Sequence, residues 1–266
     1  MQLTFFESVL SGIIQGLTEF LPISSSGHLV ILQRYFGLKE PQLFFNILLH
    51  LGTLFAVVLY FRDEIASLFT KNLRLLMLII IGSMPTAVLG FVFYDVFEAM
   101  FSHIKFVGLM LIVTAVFLFV GEHSFEKRRS RKITAAKLDW VKAFIIGFVQ
   151  GIAITPGISR SGSTIATGLM LKLSKKDALH YSFLLSIPAV AGSLLLKLAK
   201  ASTVVVITPS MTGGMITAFL FGLIAMFVLL NVLYKSKLSY FGIYCFAVGV
   251  LVIAVRIIEK LYHIII

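Results

Sequence analysis

Six stretches of this chain, about 42–61, 75–97, 104–121, 178–198, 211–234 and 239–258, are apolar almost throughout. Each approaches or exceeds the roughly 20 residues that a helix needs to cross the hydrocarbon core of a bilayer. Lipid offers no hydrogen bonds, so a spanning segment must satisfy its own backbone, as a helix or as part of a closed barrel. The runs are continuously apolar and do not alternate, which argues against a barrel. The expected fold is an all-α polytopic membrane protein, and the 59% apolar, 13% charged composition agrees with it. The first residues, MQLTFFESVL, lack a basic segment and carry Glu7 early, so they are not expected to form a cleavable signal peptide.

Basic residues punctuate the runs. Arg62, Lys71 and Arg74 follow the first; Lys127, Arg128, Arg129, Arg131, Lys132 and Lys137 follow the third; Lys235 and Lys237 follow the fifth. The positive-inside bias makes these three loops cytoplasmic and puts the loop around Asp95 and His103, with the C-terminus, outside. The net charge of +11 then reflects topology and anionic headgroups. Short basic loops between spans leave no basic domain to hold nucleic acid. The single cysteine, Cys245, gives no disulfide framework and no Cys/His metal cluster.

Two further apolar segments, about 3–36 and 140–171, are broken in the middle, the first over 22–27 and the second over 156–162. Each half is too short to span comfortably, which predicts re-entrant hairpins. The hairpins share a phrase: QGLTEFLPISSSGH from Gln15 to His28, and QGIAITPGISRSGS from Gln150 to Ser163, with six identities in fourteen ungapped positions. Each hairpin is followed by three spans. Three is odd, so the second half enters from the opposite side. The expectation is one membrane domain over 1–266, built as an inverted-topology repeat of 1–122 and 138–266, with the broken tips meeting near the midplane.

The tips carry the chemistry. Ser24, Ser25, Ser26 and Gly27 precede one half-helix; Ser159, Arg160, Ser161, Gly162 and Thr164 open the other. Helix N-termini expose unpaired N–H groups and a partial positive charge, and so bind anions. Glycine would let an anion approach the backbone. The alternative is that the serines only cap helices. Arg160 is costly inside a membrane. Its guanidinium suits a phosphate, or it pairs with Glu19, or the hairpin is shallow. Gln15 and Glu19 lie one turn apart on one face, which Ser11 and Glu7 continue. They would hold a divalent cation, orient a base, or link the hairpins. His28 would act as a general base for a serine or water. His50 reads as a packing or supporting residue, Asp139 as a helix cap and Asn231 as an interhelical contact; His263 lies near a span end.

These residues bear a family resemblance. Gln15 to Glu19 match an (E/Q)xxxE motif, Ser24 to His28 match SS(S/T)GH, and Pro156 to Thr164 match PGxSRSxxT; His50-Leu51-Gly52-Thr53 looks like a further element. In these motifs, and over its whole length, the chain resembles the bacterial undecaprenyl-diphosphate phosphatases, also called bacitracin resistance proteins. The first motif takes its glutamine form, leaving one carboxylate where the glutamate form has two. The resemblance implies removal of the terminal phosphate from undecaprenyl diphosphate, recycling the carrier lipid for peptidoglycan. It implies an inverted repeat with two re-entrant hairpins, in the plasma membrane, with a site open to its external face. A divalent cation, magnesium or calcium, is implied as cofactor. Glu19, Ser25, His28, Arg160 and Thr164 would line the site, with Gln15, Ser26, Ser159 and Ser161 beside them. The lipid substrate and the membrane are the implied partners; the oligomeric state, a homodimer among the options, is left open. A rival from another class is a flippase for the monophosphate lipid, since midplane breaks also mark secondary transporters.

Overall fold

The computed structural model describes residues 3–38, 42–101, 104–127, 134–135, 138–200 and 207–265. Among them the chain is helical: α1 (Phe5–Glu19), α2 (Ser25–Tyr35), α3 (Leu43–Tyr60), α4 (Arg62–Leu68), α5 (Leu73–Val92), α6 (Tyr94–Met100), α7 (Ile104–Lys127), α8 (Trp140–Ile152), α9 (Arg160–Met170), α10 (Lys175–Lys200), α11 (Pro209–Lys235) and α12 (Leu238–Ile265). Six of these, α3, α5, α7, α10, α11 and α12, are long and apolar enough to cross a membrane. Arg128, Arg129, Arg131, Lys132, Lys137 and His103 lie outside the described residues, as do the side chains of Asn231 and His263.

Burial follows membrane rules. On α5 the exposed residues Met77, Ile80, Met84, Val88 and Phe91 recur at helical spacing, while Leu78, Gly82, Pro85 and Thr86 face inward. On α1 the buried face is Ser8, Ser11, Gly12, Gln15, Gly16 and Glu19, and Phe5, Phe6 and Leu17 point out. The small and polar stripe is thus the packed one, because lipid tails solvate the apolar face as well as a protein core would.

Small residues set how close the helices come. α1 packs on α11, and a Cβ on Gly12 would overlap the carbonyl of Gly214. α8 packs on α5, and a Cβ on Gly147 would overlap the carbonyl of Gly82. One turn on, a Cβ on Gly16 would stand 2.7 Å from Phe221 Cβ, and one on Gly151 would stand 2.6 Å from Leu89 Cδ1. α7 packs on α12 with Gly108 and Gly249 facing each other: a Cβ on either comes within 3.0 Å or 2.6 Å of the other's carbonyl oxygen. Gly147→Ala therefore forces α8 off α5 and is expected to cost roughly 3 kcal/mol of stability, as overpacking does. Gly192→Ala, which meets nothing within 4 Å, should cost nothing. Thermal unfolding of the two detergent-purified variants tests the pair; equal midpoints would remove the close-crossing argument.

Two segments differ from expectation. The run read as 75–97 stops at Val92; Phe93 turns the chain and a short helix, α6, follows. Its Asp95 and Glu98 reach Lys200 at 3.4 Å and Lys197 at 2.5 Å on α10, and that pairing needs the chain to leave the span early. The hairpin breaks also fall earlier than 22–27 and 156–162. Ser24 and Ser159 already act as N-caps, each accepting from the N–H three residues on, so Gly27 and Gly162 sit in the first turn of α2 and α9. Asp139 caps α8 by accepting from Lys142 N at 2.8 Å, as read from the sequence. The Lys142 ammonium bonded to the Asp139 carboxyl holds it below the usual carboxylate range.

Candidate functional site

The two tips touch. A Cβ on Gly27 would stand 3.2 Å from Gly157 Cα, and one on Gly162 would stand 3.2 Å from Pro22 Cβ. Ser161 Oγ donates to the carbonyl of Leu21 at 3.0 Å. These glycines stand where the two tips approach each other. Long helices brace each tip. Thr114 on α7 donates to the Gly157 carbonyl at 3.0 Å and accepts from Ser159 N at 2.9 Å; Cys245 Sγ on α12 contacts the Pro22 carbonyl at 3.6 Å.

Between the tips, four side chains converge on Glu19. Its Oε2 accepts from Ser25 Oγ at 2.6 Å and from Gln15 Nε2 at 2.9 Å, and lies 3.2 Å from His50 Nδ1. Its Oε1 pairs with Arg160 Nη2. Gln15 Nε2 also donates to His50 Nδ1 at 2.8 Å and reaches Thr53 Oγ1 at 3.5 Å. The α1 stripe delivers Gln15 and Glu19 one turn apart, and the turn after Glu19 brings Ser25 back over the carboxylate. The repeat adds Arg160: counted along the shared phrase, Ser25 and Arg160 occupy the same position, each the first residue of its half-helix. The two copies thus point their first helical residues at one carboxylate.

Other expected residues stand elsewhere. Ser24 and Ser159 cap their helices through Gly27 N at 3.2 Å and Gly162 N at 3.0 Å. Ser26 and Ser161 lie 3.3 Å from those capping hydroxyls. Thr164 Oγ1 bonds back to the Arg160 carbonyl at 2.8 Å and meets Ser182 Oγ at 2.6 Å, so it supports α9 from behind. Glu7 belongs to the capping box that starts α1 with Thr4, at the far end of the stripe. His28 forms no hydrogen bond to Ser25 or Glu19. Its Nδ1 faces the Ser24 carbonyl at 2.7 Å and its Nε2 faces Tyr244 OH at 2.7 Å. His50, read as packing or supporting, lies against the carboxylate. The signal that pointed to it was its place in His50-Leu51-Gly52-Thr53 with Thr53 one turn on.

Two buried atoms in this cluster have no partner among the described residues: Gln15 Oε1 and Arg160 Nη1. The first is an acceptor beside the only carboxylate of the cluster, and the second is a donor on a guanidinium whose other arm holds Glu19. No group of three His, Cys, Asp or Glu side chains able to hold a metal occurs among the described residues. An amide oxygen and one carboxylate do fit a hard cation that takes its remaining ligands from water and phosphate oxygens.

Known proteins are similar to this chain over most of its length. A family model described as "Bacitracin resistance protein BacA" matches residues 8–251. A protein of Desulforapulum autotrophicum named undecaprenyl-diphosphatase is 40% identical over 92% of this chain and 96% of its own length. Proteins with the same name from Carboxydothermus hydrogenoformans, 40% identical over 94% of this chain and 97% of theirs, and from Halothermothrix orenii, 41% identical over 93% and 96%, are similar to the same extent.

Proposed function

The chain belongs to the bacitracin resistance protein family, and from that premise we propose how its site works. The protein is an integral membrane undecaprenyl-diphosphatase: it releases phosphate from undecaprenyl diphosphate and returns the monophosphate carrier lipid used for peptidoglycan. The flippase reading draws no support from the relatives, which are named for hydrolysis.

The observation that carries the site assignment is the convergence of Ser25, Arg160, Gln15 and His50 on Glu19. Arg160 shares its fork: Nη2 stays on Glu19 while Nη1 grips an oxygen of the diphosphate. The N–H groups at the starts of α2 and α9 add donors from both tips. Ser25 Oγ attacks the terminal phosphorus and its proton passes to Glu19 Oε2, the atom it already faces. The bond between phosphorus and the bridging oxygen breaks, and the lipid monophosphate leaves with the electron pair. Water then attacks the phosphoserine and its proton passes to His28. Ser25 Oγ leaves phosphorus and recovers its proton from Glu19. A divalent cation, magnesium or calcium, would be held by Glu19 and Gln15 Oε1 and would offset charge on the diphosphate oxygens. Arg160 and the tip N–H groups do the same from the protein side.

The inverted repeat, 1–122 against 138–266, is supported by the paired crossings. α1 on α11 matches α8 on α5, glycine for glycine, and Gly108 faces Gly249 where the two copies meet. With the basic loops inside, the site opens to the external face.

Phosphate release from undecaprenyl diphosphate by detergent-purified protein, with and without magnesium, tests the reaction. Terminally labelled substrate tests the covalent step. Label on wild type, and none on a Ser25→Ala variant that has lost about 10³-fold in rate, is the expected result. A Ser25→Ala enzyme within tenfold of wild type would mean that water attacks directly.

A further inference from the structure

We infer that Tyr244, on the last long helix, is the residue that positions His28. This rests on the reading of His28 as the base in the second step.

The imidazole is held at both nitrogens. Nδ1 lies 2.7 Å from the carbonyl of Ser24, and a carbonyl only accepts, so Nδ1 carries the hydrogen. Nε2 is then the lone-pair nitrogen, and the partner facing it at 2.7 Å is the hydroxyl of Tyr244, which donates. The two rings lie nearly parallel, 4° apart, with centroids 5.7 Å apart. Rotating the imidazole would break both bonds, so together they fix the tautomer and the direction of the lone pair. Because this hydroxyl covers the lone pair, the proton of the attacking water reaches Nε2 through it: the tyrosine oxygen takes the proton from water as its own hydrogen passes to Nε2, and the oxygen then accepts from Nε2–H. One atom thus serves the neutral and the charged forms of the base.

The backbone supports this. Ser24 stands at φ 68° and ψ 86°, a left-handed conformation that non-glycine residues avoid. Its counterpart Ser159 is at φ −72° and ψ 115°. The strained copy is the one whose carbonyl must meet an imidazole. The following residue is Ser25, aimed at Glu19, and His28 lies one turn on. Such strain is retained where the surroundings over-determine it. Here α12 does so with two consecutive side chains, Cys245 on the Pro22 carbonyl and Tyr244 on His28.

An ordinary role exists for a half-exposed tyrosine near a membrane boundary, as an interfacial anchor. Tyr240, one turn earlier and 64% exposed, fits it. Tyr244 differs because its hydroxyl is spent on a site side chain from the other half of the sequence.

Tyr244→Phe keeps the ring and the packing and removes only the hydroxyl, so the variant should fold. The experiment measures kcat and KM for phosphate release in Tyr244→Phe, His28→Ala and the double variant, with ¹⁵N spectra of histidine-labelled protein, His28 being assigned by its loss in His28→Ala. The expected result is a kcat about tenfold down in Tyr244→Phe, within the range of acid–base contributions, with KM within about twofold. The double variant should be no slower than His28→Ala, and the His28 nitrogen signals should change towards a mixture of tautomers. A Tyr244→Phe enzyme at wild-type rate beside a slow His28→Ala overturns the positioning role alone. So does a double variant slowed by the product of the two effects, or unchanged nitrogen signals. A His28→Ala enzyme at wild-type rate overturns the base reading itself, and the positioning role with it.

Discussion

Arg160→Ala lowers kcat for phosphate release about 10³-fold, the scale on which charge-stabilising donors and arginine clamps act on phosphoryl transfer. The geometry makes a sharper statement with lysine. Arg160 uses two nitrogens in two directions, Nη2 on Glu19 and Nη1 without a protein partner. A lysine has one compact ammonium and cannot hold the carboxylate and the diphosphate at once. Arg160→Lys is therefore expected to recover no more than about tenfold of the lost rate. The check is kcat at saturating lipid, with thermal unfolding to confirm that both variants fold. A lysine variant within threefold of wild type would show that a point charge suffices, and the shared fork would be wrong. Loss confined to KM would place Arg160 in ground-state binding only.

Much of this was legible in the sequence for local reasons. Span length, loop charge and the Pro, Gly and Ser breaks are each written within a few residues. The shared phrase from Gln15 and Gln150 is also a local signal, and it placed Glu19, Ser25 and Arg160 at the tips. What escaped is what depends on how distant helices cross. His50 reaches Glu19 only because α3 packs beside α1, and Tyr244 reaches His28 from 216 residues away. Glu122 is another case: buried in α7, it accepts from Leu238 N at 2.6 Å and caps α12, a role that no neighbouring residue announces. The tip hydroxyls are held locally. Ser and Thr near a helix start satisfy the nearest backbone first, so Ser24, Ser159 and Thr164 serve the protein, and Ser25 alone is bonded to the carboxylate.

Glu19→Gln should abolish turnover as Arg160→Ala does, yet the two variants should differ in stability. Among the described residues Glu19 is the partner of Arg160 Nη2, and Nη1 has none. Neutralising Glu19 leaves a buried guanidinium without a counter-charge, which costs about 3 kcal/mol or more. Removing Arg160 instead leaves the carboxylate with the hydroxyl of Ser25 and the amide of Gln15 still donating, and with His50 beside it. That loss should be about half as large. The double variant Glu19→Gln/Arg160→Ala removes both charges and should be more stable than Glu19→Gln alone, although as inactive. Unfolding midpoints of the three proteins in one detergent, beside wild type, give the order directly. If Arg160→Ala proved the least stable of the three, the carboxylate would depend on the guanidinium more than on the donors around it. The site would then be a single ion pair with neighbours, not a carboxylate held at once by Ser25, Gln15 and Arg160.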